Sequence, residues 1–359
     1  MKKFIALLLA VAMLFALAAC GGKTEAPAAT SSTPATSNAP AAAPAGEKVT
    51  LKVTHCQAEG HPINDAALLF ADIVNEKTDG RITVDLYPAN MLGAESVTRD
   101  MVKEGTVDVV ILGSAANNYN TAMNLVSAFY LLQNVEEADY MLFDSNFAQK
   151  YMKDEYLADH GVVYLDSWTQ SPRQTMTTKP FTTPEELKSI KLRVPAGIPV
   201  WETGWNYMGA MTVSMGLDDA FSGLQQGVCD GVEGPIEQLY FYSFQEVAKN
   251  LIQTEHCYYS YQFLMNANVW NGLSADDQQI IKDALVEAHK LADEKRDANV
   301  DLLVSDMESQ GVKVTALTDA QKQVFADLAL AAVQDNMETW GQDVYDEFIA
   351  ELEEFRASH

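Results

Sequence analysis

Two arginines, Arg173 and Arg193, are the residues of this sequence best suited to chemistry. They flank a short capped turn in a chain with 50 acidic residues, 24 lysines and arginines, and a formal charge of −26. A guanidinium presents a planar fork of donors that matches two carboxylate oxygens. Brought together, the pair would clamp a carboxylate. Surface ion pairing is the simpler account from these residues alone. Other chemistry is sparse. The sequence has no G-x-G-x-x-G, no Walker loop, no H-E-x-x-H and no nucleophile elbow. His55 and His61 straddle Gly60 without the spacing of helical metal ligands. Asp218 and Asp219 are neighbours whose side chains diverge on a helix, so they read as acids of a helix start. Beyond Cys20, the cysteines Cys56, Cys229 and Cys257 form neither a disulfide framework nor a zinc motif. Buried free thiols are expected, with no metal, no cofactor and no enzymatic turnover.

The segment that carries the arginines reads WTQSPRQTMTTKPFTTPEELKSIKLRVP from Trp168 to Pro195. Thr183 as N-cap, Pro184 at the first helical position and Glu186 at the third start a helix of about one turn. Ile190, Leu192 and Val194 alternate with Lys191 and Arg193, which predicts a half-buried strand with Arg193 on its polar face.

Upstream, Val49, Leu51 and Val53 alternate as a strand. Pro62 to Lys77 has helical spacing and stops at Asp79-Gly80. Ile82 to Leu86 is a strand, Glu95 to Glu104 a helix and Val107 to Leu112 a strand. This succession predicts an α/β lobe with a mainly parallel sheet. Helical patterning returns from Glu136 to Ala158, then a strand at Val162 to Asp166. Downstream, Trp201 to Met208 reads as a helix, Val213 to Met215 as a strand and Asp218 to Gln226 as a helix. Cys229 to Pro235 reads as a turn-rich loop whose glycines let backbone approach a ligand. Leu264 to Asn268 returns as a strand. Ser274 opens a helix reaching about Met307, long enough to brace two lobes. Val312 and Val314 suggest a last strand, and Thr318-Asp319-Ala320-Gln321 opens further amphipathic helix.

At the N-terminus, Lys2-Lys3 precedes an apolar run from Phe4 to Leu17, too short for a comfortable membrane span. It ends in Leu17-Ala18-Ala19-Cys20-Gly21, which resembles the lipobox of bacterial lipoproteins. That resemblance implies cleavage before Cys20, its lipidation, and a stable membrane anchor. Gly22 to Gly46 is rich in Ala, Pro, Ser and Thr and should be a disordered tether. The acidic charge argues against nucleic acid as a partner.

Several segments, in order, resemble the TRAP-transporter substrate-binding proteins of the dicarboxylate-binding (DctP) type. They are VTLKVTHCQAEGHP from Val49, YPANMLGAES from Tyr87, EGTVDVVI from Glu104, PRQTMTTKPFTTPEELKSIKLRVP, GLQQGVCDGVEGP and EVAKNLIQTEH from Glu246. The resemblance covers about Val49 to Asp301. It implies an α/β, two-lobe periplasmic-binding-protein-like fold with crossing hinge segments and a long bracing helix. Lobe I would take 47–170 with about 259–298, and lobe II 171–258 with about 299–359, after a signal peptide at 1–19 and a tether at 20–46. It implies a carboxylate ligand held between the lobes and delivery of that ligand to a TRAP membrane permease. A sensor presenting its solute to a signalling receptor would share the fold.

The resemblance also assigns residues. Arg193 matches the arginine of the K-x-R-V-P motif that pairs with the ligand carboxylate, and Arg173 the earlier arginine of the pocket. Glu233 matches a glutamate that accepts a ligand hydroxyl or orients an arginine. Gly234 departs from the pattern, standing where many relatives carry an asparagine that helps hold the carboxylate. A backbone N–H or water would then replace that donor, or the ligand would sit differently. Leu217 stands where many have an aromatic ring. Further wall candidates lie at strand ends of the first lobe, where ligands of α/β sheets gather: His55, Glu59, Glu95, Ser114 and Asn117, with Trp168 stacking on a sugar face. Acidic and amide groups facing two arginines suit a hydroxylated acid, so a sugar acid such as a hexuronate is the expected ligand.

Overall fold

The structure is a computed structural model that describes residues Lys48–His359. The lipobox, Cys20 and the tether lie outside the described residues. Two sheets organise the body. The first has the order β2-β1-β3-β10-β4, with β1 Val49–His55, β2 Ile82–Tyr87, β3 Val109–Leu112, β4 Val162–Thr169 and β10 Ser260–Asn266. The second has the order β11-β9-β5-β8-β6-β7, with β5 Arg173–Thr177, β6 Lys191–Pro195, β7 Met211–Met215, β8 Gly231–Pro235, β9 Asn250–Gln253 and β11 Lys313–Ala316. Helices cover both sheets, which gives the two-lobe α/β architecture.

The first sheet is mixed. β1 pairs in parallel with β2 and β3, but β10 runs antiparallel to both β3 and β4. The reason is connectivity, because β10 re-enters from the second sheet rather than through a βαβ crossover. The chain passes between the sheets three times, through the helix Ala275–Ser309 into β11 and through two extended segments, from β4 to β5 and from β9 to β10. The two extended segments are hydrogen-bonded to each other. Arg173 N–H donates to Cys257 O at 2.9 Å, and Gln170 N–H to Tyr259 O at 3.1 Å. The helix Ala275–Ser309 runs alongside them, packing on the helix Pro62–Lys77 and β4 at one end and on the helix Ile236–Phe241 and β11 at the other. Its 35 residues span about 50 Å. Arg296 fastens it to the crossing by donating from Nη1 to Thr169 O at 3.0 Å.

Amphipathic patterning is realised closely where a helix has one apolar face. Pro62–Lys77 and Glu95–Glu104 form over those residues, and Ser274 caps the long helix by accepting from Asp277 N. The stretch from Val135 to His160 is instead broken into short α and π turns. Asn134 caps its start, but Ser145 caps again from inside it, and such a local cap competes with a continuous helix.

The segment expected as a loop before Pro235 is a strand. β8 is central, antiparallel to β5 and parallel to β6. Its glycines serve interstrand packing. A Cβ at Gly231 would stand 2.6 Å from Thr177 Cγ2, 3.1 Å from Met176 O and 3.2 Å from Leu192 Cδ1. Gly in a strand interior marks this kind of close approach. Gly231→Ala should therefore lose about 1–3 kcal/mol of stability through overpacking. Urea unfolding would show it as a lower midpoint at unchanged slope, and an unshifted midpoint would refute it.

The three remaining cysteines are free and buried.

Candidate functional site

Three adjacent strands of the second sheet carry Arg173, Glu233 and Arg193. Glu233 on β8 lies opposite Thr175 of β5, and Arg193 of β6 lies beside Val232 of β8. All three are buried, with relative exposures of 6%, 1% and 2%. Arg193 therefore does not lie on an open polar face of its strand. It points into the closed space between the lobes.

The two arginines are held differently. Arg173 is locked side-on to Glu233, with Nε donating to Oε2 at 2.7 Å and Nη2 to Oε1 at 2.9 Å. Its guanidinium also stacks over Trp201 at 4.4 Å from the ring centroid, a cation–π contact. Behind Glu233 stands His256, whose Nε2 is 3.2 Å from Oε2 and whose Nδ1 is 2.9 Å from Thr254 Oγ1. Burial lowers the His256 pKa, with Glu233 opposing, so the ring is neutral. A carboxylate only accepts, so Nε2 carries the proton and Nδ1 accepts from Thr254. Burial alone would raise the pKa of Glu233. Arg173, then His256, outweigh it and bring it down to about 2.

Among the described residues, Arg193 has no carboxylate partner. Its Nε donates to Met215 O at 2.9 Å, which aims the planar group along one direction. Among the described residues, neither terminal nitrogen donates to a protein acceptor. Burial pushes its pKa down to about 10, against the pull of Glu233 and with a further push from Arg173. This is a desolvated fork, oriented by the Met215 carbonyl of the neighbouring strand β7 and still able to make a bidentate contact.

The facing wall comes from the first sheet. Glu95 begins its helix and accepts from Gly113 N–H through Oε1 at 2.6 Å, with the Cys56 thiol beside its carboxyl. Burial raises its pKa, although the Gly113 N–H and both arginines work the other way. Gly113 is required because a Cβ there would stand 2.7 Å from Tyr261 Cε1. The Tyr261 hydroxyl meets Cys56 Sγ at 3.3 Å and the Gln57 amide. The lobes touch around this space. Asn90 Nδ2 donates to Asp218 Oδ1 at 2.8 Å, Asn118 Nδ2 to Gly197 O at 3.0 Å, and the Tyr242 hydroxyl to Cys56 O. Leu217 packs against the apolar clusters of both lobes.

The other candidates are not gathered there. Trp168 is fully buried, packs on Phe263 and donates to Asp166, so its ring has no face for a sugar. It stands on β4, whose inward residues build the core. Asn117 is engaged by Ser127 at 2.6 Å and Tyr259 at 2.6 Å. Glu59 is exposed and Ser114 half-buried, with no side-chain partner among the described residues. His55 is buried, takes Gln57 N–H on Nδ1, and is held down to about pKa 4 by burial. Sequence reasoning missed Tyr261, Gln57, His256 and Trp201. Only Tyr261, alternating within Ser260–Asn266, had a pattern that could have placed it.

A cavity of about 140 Å³ lies elsewhere, lined by Phe129, Pro199, Gly204, Val333 and Trp340 among others. It has no charged wall, so a carboxylate would find no partner in it. The arginine site is the one suited to an anion.

The sequence matches the family described as bacterial extracellular solute-binding protein, family 7, over residues 53–339. The chain belongs to this family. It is 28% identical to a solute-binding protein of Roseobacter denitrificans over 310 residues, covering 85% of this chain and 94% of the relative. It is 28% identical to the sialic acid-binding periplasmic protein of Vibrio cholerae, covering 76% and 85%. Among solved structures, a TRAP periplasmic solute-binding protein of Roseobacter denitrificans with bound L-galactonate superposes with a TM-score of 0.78 at 26% identity, covering 85% of this chain and 98% of that one. The chain is thus a TRAP-type extracytoplasmic solute-binding protein. Its family role is binding, not turnover. No helix of the described residues is long and apolar enough to cross a membrane.

Proposed function

We propose that this family 7 protein captures a polyhydroxy monocarboxylate, a sugar acid, between its lobes and delivers it to a TRAP-type permease. The observation that carries the reading is Arg193, buried and with its terminal nitrogens unpaired among the described residues. Charge counting supports one negative charge on the ligand. Arg173 is neutralised by Glu233. That leaves one cation without a counterion on the second-sheet wall, while burial raises the pKa of Glu95 opposite it against the pull of the Gly113 N–H and both arginines. A second ligand carboxylate would meet no free cation in a desolvated space, which is costly. Hydroxyls would find the Glu95 carboxyl, the Tyr261 hydroxyl and the Gln57 amide. The relative crystallised with L-galactonate carries a ligand of this chemistry. The lipobox supports a lipid anchor on the outer face of the cell membrane.

Calorimetry with L-galactonate, β-D-galacturonate, succinate and L-malate tests the reading. A sugar acid should bind at least about tenfold tighter than either dicarboxylate, a difference of about 1.4 kcal/mol or more. Tighter binding of succinate or L-malate would overturn the monocarboxylate assignment. Metabolic labelling with a fatty acid, abolished by Cys20→Ala, tests the anchor. Loss of sugar-acid uptake on deleting the cognate permease genes tests delivery, and uptake that persists would refute it.

A further inference from the structure

The fold leaves one amide beside the arginines with nothing to do. Gln238 is on the short helix Ile236–Phe241 that follows β8, and it is 6% exposed. Its carboxamide has no hydrogen-bond partner among the described residues. It is also absent from the fully enclosed polar atoms, so its polar end reaches open space while the rest of the side chain is packed. Packing of the stem fixes where the carboxamide sits, and its open tip is available to a polar group that enters that space.

Its position says what the use is. A Cβ on Gly234 would stand 2.6 Å from Gln238 Oε1 and 3.7 Å from Arg173 Nη2. The carboxamide and the Arg173 edge that Glu233 holds therefore border the same point, on the second-sheet wall that carries Arg193. Gly234 shows no positive backbone φ, so its lack of a side chain is not demanded by the turn. It makes room for the Gln238 carboxamide.

We propose that Gln238 is a ligand-binding residue. Its amide N–H donates to the ligand carboxylate alongside the terminal nitrogens of Arg193, and Gly234 is the clearance that lets it reach. The neutral amide adds a donor without adding charge, which keeps the site matched to a monoanion. This inference rests on the carboxylate-capture reading.

The test is a set of titrations with L-galactonate and β-D-galacturonate. The proteins are wild type, Gln238→Leu, Gly234→Ala, the double variant and Arg193→Met. Gln238→Leu keeps the packed stem and removes the amide. Gly234→Ala keeps the amide and displaces it, because the group it would strike is the end of a flexible side chain. Each single change should weaken binding by about 10- to 100-fold, in line with losing one hydrogen bond to a charged group. The double variant should be no weaker than the weaker single one, since both remove the same contact. Circular dichroism and thermal midpoints close to wild type show that the fold is retained.

Gln238→Leu binding within twofold of wild type overturns the inference and leaves the capture reading intact. Additive losses in the double variant overturn the link to Gly234, and with it the inference as stated. Arg193→Met binding like wild type overturns the capture reading itself, as does a wild type that takes neither acid.

Discussion

Replacing Arg193 with methionine is expected to abolish carboxylate binding and, at the same time, to stabilise the ligand-free protein. Both effects come from the same geometry. The guanidinium is 2% exposed, its one protein hydrogen bond is Nε to Met215 O, and burial holds its pKa near 10. A drop from 12.5 to about 10 corresponds to roughly 3 kcal/mol spent on keeping the charge desolvated. A bound carboxylate recovers that cost through a charge-assisted, bidentate contact. Methionine fills much of the stem volume without the charge, so the ligand-free fold should become more stable and its melting temperature should rise. Truncating one partner of a buried charge pair costs about 2–5 kcal/mol of binding. The affinity should therefore fall by about 30- to several thousand-fold. Arg193→Lys should fall nearly as far, because an ammonium cannot donate to Met215 O and offer a planar fork together. Calorimetry and thermal unfolding of the two variants measure both arms. Affinity within about threefold of wild type for Arg193→Met would end the clamp hypothesis. A lower melting temperature would instead mean that the charge is already compensated in the ligand-free protein.

The strand residues that carry the arginines were legible because alternation fixes a strand's two faces, and Ile190, Leu192 and Val194 alternate with Lys191 and Arg193. What alternation does not reveal is what covers the polar face. Here the other lobe does, so Arg193 is buried although its strand reads as half-exposed. Helices such as Pro62–Lys77 and Ala275–Ser309 were legible for a similar reason, since their caps and stripes are local properties. β8 was not. Gly231, Gly234 and Pro235 have low strand propensity; pairing with β5 and β6 makes the strand, and Thr177 and Leu192 leave no room for a side chain at Gly231. That requirement belongs to its neighbours. Trp168 shows the opposite error. An aromatic ring near a strand end suits a sugar wall or a core equally well, and only the packing of Phe263 decides. Gln238, His256 and Tyr261 lie 65 to 88 positions beyond Arg173, and no spacing rule joins them to it.

Glu233→Gln is expected to give the largest loss of stability in the site, and the loss should depend on pH in a defined direction. Glu233 accepts from Arg173 through both oxygens, and its side chain has no exposure. Its pKa is lowered from 4.5 to about 2. A carboxyl whose folded pKa lies below its unfolded value contributes stability that is fully present above about pH 4.5. That contribution is lost as the pH falls through about 2, and it amounts to roughly 3 kcal/mol. Glutamine keeps the shape and removes the charge, leaving Arg173 a buried cation without a counterion. Removing one partner of a buried pair costs about 3–5 kcal/mol. Other buried acids, Glu95 and Glu237 among them, are shifted upward and titrate in the opposite sense, so wild-type stability alone is a composite curve. The difference between wild type and Glu233→Gln isolates the one group. Urea unfolding at pH 7, 5, 4 and 3 should show a constant gap from pH 7 to about 5, narrowing below. A gap that stays constant to pH 3 would mean that Glu233 is not held ionised by Arg173. His256 provides an internal check. It loses the carboxylate that opposes its desolvation, so its ring should stay neutral to lower pH in the variant, visible in its imidazole resonances. The consequence reaches the ligand. With the carboxamide in place of the carboxylate, Arg173 is no longer neutralised and the site holds two free cations. Discrimination against dicarboxylates should then weaken, so succinate should gain affinity relative to L-galactonate in the same variant that loses stability.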